Sequence, residues 1–205
     1  MIPKIEFRYS WVYDANWKKW IKTYDVPKLN RSKDLSYKVI EKYIAKVEKL
    51  WRKDEVKVLT ELSKISVLKW KTKHIICYVV NEAIPFSDPL TVSVYLDSPD
   101  FFVDVLVHEL IHQLYLQPGN LRSAKKLWAH INKKYANVSY ATRIHIPLHA
   151  MHEHIYRKFF NEKRLKRDIR FASKFLPAYK QAWQIVEKEG YKNIIAEFKQ
   201  YLKAK

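Results

Sequence analysis

Two glycines, two methionines and a single cysteine are all that the 205 residues hold of those three types. One thiol, Cys77 in the apolar run HIICYVV, excludes an internal disulfide and any multi-cysteine metal site, and its surroundings read as those of a buried, inert side chain. The scarcity of glycine, cysteine and methionine beside many lysines and glutamates resembles a heat-adapted, thermophile-like composition. No apolar stretch approaches the roughly 18 residues of a membrane-spanning helix. The N-terminus MIPKIEFRYSWVYD also lacks the ordered regions of a signal peptide, so the expectation is a soluble cytoplasmic protein with no membrane span. Internal repeats, low-complexity tracts and long linkers are missing too, which leaves nothing to demand a domain boundary.

What is present is enough apolar material for a core: 48% hydrophobic and 15% aromatic residues. The 39 lysines and arginines outnumber the 21 acidic residues, giving a net charge of +18. Such a surface attracts polyanions by counterion release, and the densest cluster is KRLKRDIRFASK, Lys163 to Lys174. Because lysines are spread through every helical segment, a solvated basic surface is the first reading and weak nucleic-acid contact the second. The seven tryptophans are scattered, mostly at helical spacing, and read as core packing rather than base-stacking platforms.

Along the chain, Ile5 to Tyr13 reads as a β-prone segment, and LSYKVIEKYIAKVEKLWRK (Leu35 to Lys53) repeats its apolar residues at the helical period. HIICYVV reads as a buried strand and LTVSVYL (Leu90 to Leu96) as a half-exposed one. Ser98 as N-cap and Pro99 at the first position predict a helix from Pro99 to Leu116, stopped by QPGN. Asn120 is expected to cap a helix from Leu121 to about Ala136. A non-helical passage, NVSYATRIH, then leads to Pro147 at the start of a helix reaching Phe160. Further helices, broken near Pro177 and Gly190, complete the chain. The predicted class is α+β: a small, mostly antiparallel sheet packed on the Pro99 to Leu116 helix, with several flanking helices. It is read as one domain over 1–205, made of an N-terminal helical region (1–73), a kernel (74–160) and basic C-terminal helices (161–205).

Chemistry concentrates in HELIH, His108 to His112. Residues four apart share a helix face at about 6 Å, so His108 and His112 can each aim a ring nitrogen at one cation. Glu109 lies one step round the helix and cannot join them as a ligand, but it can take a proton from water activated by that cation. With eight histidines in the chain, this five-residue pattern arises by chance roughly a few per cent of the time, so its setting must support it. The setting is mid-helix and apolar, where an uncompensated charge or imidazole is costly. Asp104, one turn before His108, reads either as a partner behind that histidine or as an acid favoured by the helix dipole.

HELIH resembles the signature of zincin metallopeptidases, with the kernel 74–160 resembling a small gluzincin-like strand and helix arrangement. The resemblance implies zinc as cofactor, held by His108 and His112, with Glu109 as general base. It further implies a peptide or protein substrate paired with LTVSVYL as an edge strand. A third ligand is then needed, and HIPLHAMHEH, His145 to His154, holds four histidines in ten residues. On a helix begun by Pro147, His149, His152 and Glu153 share one side. Family members with a glutamate ligand carry an orienting carboxylate four residues later, where this chain has Arg157. With His149 as ligand, Glu153 instead falls at the orienting position. His149 is therefore favoured, backed by Glu153, while Glu153 itself, His145 and His152 stay open as ligands. His145, expected in a loop, and Tyr140 are candidates for stabilising a developing oxyanion. His74 and His130 are read as ordinary histidines. Two other functional readings stand beside the peptidase: a basic nucleic-acid-binding protein with a structural zinc, and a latent or toxin-like protease.

Overall fold

The structure is a computed structural model that describes residues 1–21 and 34–203; of the predicted N-terminal region, 22–33 lie outside the described residues. The elements run β1 (Lys4–Arg8), α1 (Trp11–Ile21), α2 (Tyr37–Arg52), α3 (Glu55–Ser66), β2 (His74–Val80), β3 (Phe86–Ser87), β4 (Leu90–Ser93) and α4 (Pro99–Leu116). They continue with α5 (Asn120–Ser123), α6 (Lys125–Lys134), α7 (Tyr140–Phe159), α8 (Glu162–Phe175), α9 (Pro177–Glu189) and α10 (Tyr191–Lys203). Ten helices and one small four-stranded sheet among the described residues make a mixed α and β protein, consistent with the α+β class. Among the described residues, no helix is long and apolar enough to cross a membrane.

Chain contacts gather into two compact units, and two of the boundaries between them fall inside α3 and α4. One comprises Pro3–Val56 and Thr72–Gln113 and contains the sheet, in the order β1-β2-β4-β3. Contrary to the antiparallel expectation, β1 and β2 are parallel, as are β2 and β4; only β3 and β4 are antiparallel. The physical reason is visible in the strands. Parallel strands covered on both faces read as unbroken apolar runs, and all four residues of β4 are buried, as are Val79 and Val80 of β2. LTVSVYL also ends as a strand at Ser93 rather than Leu96. Beyond it, the Tyr95 N–H donates to the Tyr43 hydroxyl at 3.0 Å. The N-terminal strand stops at Arg8, and helix α1 takes over at Trp11, inside the segment read as β-prone.

In this unit β1 is an outer strand, and its outward backbone is sealed by side chains. Ile5 N–H donates to Glu55 Oε1 at 2.8 Å, while Ile5 C=O accepts from Arg52 Nη2 at 2.8 Å. The Glu55 carboxylate also accepts from Trp51 Nε1 at 3.1 Å and from Arg52 Nη1 at 2.6 Å. An exposed strand edge is a template for unwanted pairing, and here a partly buried ion pair occupies it. Phe102 of α4, wholly buried, packs on Phe7 and Tyr43 with ring centroids 5.9 and 5.8 Å away.

The other unit comprises Met1–Ile2, Lys57–Lys71 and Leu114–Lys205. Its central helix is α7, packed by α8, α9 and α10. This helix begins at Tyr140 and not at Pro147, because Ser139 supplies the cap: its hydroxyl accepts from Thr142 N–H at 3.1 Å. Pro147 sits inside the helix and plays no part in starting it. Asn120 likewise lies inside α5 and does not cap it. Its amide instead donates to Leu114 C=O at 2.6 Å and Lys69 C=O at 3.0 Å, behind Gly119 at φ 82°. The expected breaks at Pro177 and Gly190 separate α8, α9 and α10.

Removing the Glu55 carboxylate strands two buried donors, Ile5 N–H and Trp51 Nε1, and takes one partner from the half-buried Arg52. Glu55→Ala should lower the unfolding free energy by about 2–4 kcal/mol in urea titrations, whereas a loss under about 0.5 kcal/mol would show that the edge seal adds little.

Candidate metal centre

Helix α4 is apolar on nearly every side, with Leu106, Val107, Leu110, Ile111 and Leu114 wholly buried. A helix of that kind is a core helix, so polar groups on it must be compensated locally. His108 and Glu109 are buried within it, and His112 is half-buried. The two imidazoles, one helical turn apart, have ring centroids separated by 5.3 Å. Burial pushes the Glu109 carboxyl up to about 8. Burial first, and then the nearby Glu109 carboxylate, hold the Cys77 thiol well above its ordinary value, in keeping with an inert cysteine. Asp104 is also wholly buried and lies in the second turn of α4, beyond the reach of the terminal dipole that could otherwise explain it.

On α7, His145 stands in helix rather than in a loop, since the helix starts at Tyr140. Its Nδ1 lies 2.6 Å from the Ala141 carbonyl. A carbonyl can only accept, so Nδ1 carries the proton and Nε2 keeps a lone pair, the state a metal requires. Burial lowers the His145 pKa to about 4, with the Ala141 hydrogen bond acting in the opposite sense, so the ring is neutral near pH 7. Tyr179 of α9 covers this ring at 3.9 Å between centroids and fixes its plane.

One ring nitrogen from each of His108, His112 and His145 lies within 4.8 Å of the others, close enough for the three to hold one metal ion. Glu153 and His149, the residues favoured for the third position, are engaged elsewhere. His149 stacks on Trp183 at 4.3 Å with an interplanar angle of 11°, one turn beyond His145. Glu153 is bound to Arg157 Nε at 2.8 Å, so the residue that could not orient a ligand neutralises this carboxylate instead. His152 stacks on Tyr156 at 4.4 Å, with Nδ1 3.6 Å from Asp168. Tyr140, the other oxyanion candidate, is 66% exposed at the first position of α7. His74 and His130 have carboxylate partners in Glu6 at 3.0 Å and Glu197 at 2.7 Å, as befits ordinary histidines.

Sequence reasoning missed Tyr179 and Trp183, which back His145 and His149 from another helix and carry no spacing signal. It also misplaced the edge of the sheet: β4 lies between β2 and β3, and β3 is outermost. The Gln113 side chain of α4 donates to the Ser87 carbonyl of β3. Compared with protein-family models, curated proteins and solved structures, the chain shows no match to any of them.

Three neutral imidazoles would leave the full charge on a divalent ion held by His108, His112 and His145, which would supply Lewis acidity there. Elemental analysis of purified variants discriminates the ligands. His145→Ala should lose stoichiometric metal, whereas His149→Ala and Glu153→Ala should retain it; the reverse pattern would reject the triad.

Proposed function

We propose that this protein is a zinc-dependent peptide hydrolase of the HExxH type. The observation that carries the reading is the approach of His145 to the HELIH pair, with an acid-base group, Glu109, buried beside them. Three imidazoles suit zinc among the common cellular cations, and the ion when bound supplies Lewis acidity that polarises a carbonyl and acidifies water. Glu109, whose charged form burial disfavours, would regain its carboxylate form beside a cation held by His108, His112 and His145, and so could serve as a base. Glu109 takes the proton from the attacking water and delivers it to the leaving amine. Ala141 holds His145 in the tautomer and orientation the site needs. Peptide substrate would lie along β3, the outer strand tied to α4 through Gln113.

A second reading has its own observation. Lys163, Lys166, Arg170 and Lys174 are all exposed and recur at helical spacing along α8, forming a basic stripe suited to a polyanion. On that reading the metal is structural and Glu109 plays no part in binding.

Glu109→Gln separates the two. Hydrolysis of an unfolded protein substrate and of a fluorogenic peptide library should fall about 10²–10⁴-fold, with zinc stoichiometry and nucleic-acid retention unchanged. Wild-type levels of turnover in the variant, or no turnover by zinc-loaded wild-type protein, would overturn the peptidase reading.

A further inference from the structure

Helix α9 begins at a fixed place against α7. Only Leu176 separates it from α8, Pro177 takes its first position, and Tyr179 N–H donates to Leu176 C=O at 2.9 Å across that start. A polar link then sets the register of the two helices. The wholly buried Thr142, in the first turn of α7, donates its hydroxyl to Gln181 Oε1 in the second turn of α9 at 3.0 Å. Ser139, the cap of α7, has its own hydroxyl 2.9 Å from that of Thr142. Sliding either helix by one residue would break this link and leave a buried hydroxyl unsatisfied, which is costly.

In that register four rings meet between the helices. His145 faces Tyr179 at 3.9 Å between centroids and His149 stacks on Trp183 at 4.3 Å, so the two contacts step forward by one turn on both helices together. Tyr179 also meets His149 edge-on, at 5.5 Å and 72°. The contact at His145 bears on where its Nε2 points. The Ala141 carbonyl holds Nδ1 and so selects the nitrogen that keeps a lone pair. A ring held at one atom can still pivot about that hydrogen bond, and a ligand site tolerates only about 10–20° of angular error. The Tyr179 ring, laid over the imidazole face, blocks the pivot. Trp183 grips His149, which stands outside the triad, so its stack is packing alone.

We infer that Tyr179 is a positioning residue of the metal centre: the face of its ring, kept in register by the Thr142 to Gln181 link, holds the His145 imidazole at the angle that lets Nε2 bind the ion. That role rests on the zinc reading of the triad and adds to it a determinant from a helix that contributes no ligand. It belongs to the ring of Tyr179 and not to its hydroxyl.

Zinc affinity of full-length variants, measured by competition with a chromogenic chelator, tests this role, with folding followed by urea titration. Tyr179→Leu should weaken zinc binding about 10–100-fold, the usual loss when the support of a metal ligand is removed. Tyr179 is half-buried and leucine keeps an apolar contact there, so folding is preserved. Tyr179→Phe retains the ring and should bind zinc as wild type does. Trp183→Phe trims a buried ring of the same contact set, and should lower the urea midpoint while leaving zinc affinity unchanged. The visible spectrum of cobalt-substituted protein gives a second readout: Tyr179→Phe should superimpose on wild type and Tyr179→Leu should not. Wild-type affinity in Tyr179→Leu, or an equal loss in Trp183→Phe, would overturn the positioning role. A loss in Tyr179→Phe equal to that in Tyr179→Leu would move the effect to the hydroxyl and overturn it too. Wild-type protein that takes up no stoichiometric zinc would overturn the triad itself together with this role. None of these readouts involves peptide hydrolysis.

Discussion

The constraint on which the arrangement rests is one turn of a buried helix. Helix α4 surrounds His108 and Glu109 with aliphatic side chains that withhold water from them, beside the half-buried His112, and such groups are tolerated in that setting only with compensation. An ion taken up by two imidazoles of this turn and a third from α7 would provide that compensation, and would explain why a carboxyl is kept beside them in a medium that disfavours its charge. The same helix supports the sheet through Phe102 and reaches β3 through Gln113. Chemistry and packing are therefore carried by the same eighteen residues.

Helix α7 shows how one element can serve two purposes. Its first half presents His145, held by the Ala141 carbonyl and covered by Tyr179. Two turns later, Glu153 and Arg157 face the cavity lined by α8 and α9. The His149 ring between them stacks on Trp183, so the ring one turn beyond His145 is packed on a residue that lines the cavity. Histidine enrichment in this helix thus has several causes. His145 lies close enough to His108 and His112 to share a metal ion with them, His149 and His152 are packed against aromatic rings, and His154 pairs with Glu61 at 2.8 Å.

Local rules made much of this legible in the sequence. Pro99 and the QPGN stop bound α4, the spacing of HELIH places its two imidazoles together, and Pro177 and Gly190 separate the last helices. What failed was non-local. The direction of strand pairing depends on how α1 to α3 return the chain, although the unbroken apolar run of β2 already carried the mark of a parallel strand. In the sequence, Glu153 four residues on favours His149, and a helix begun at Pro147 leaves His145 in a loop. The Ser139 cap begins it earlier and turns His145 from a loop residue into a helical one. Tyr179 and Trp183 reach the histidines from a helix more than thirty positions away, a relation that no periodicity encodes.

The central claim is a single ion shared by α4 and α7. The most direct measurement is a crystallographic anomalous difference map collected on both sides of the zinc absorption edge from zinc-loaded protein. The account predicts one peak within bonding distance of ring nitrogens of His108, His112 and His145, with no other protein ligand. A peak bonded to His149 or Glu153 in place of His145, or no peak near the α4 histidines, would contradict it.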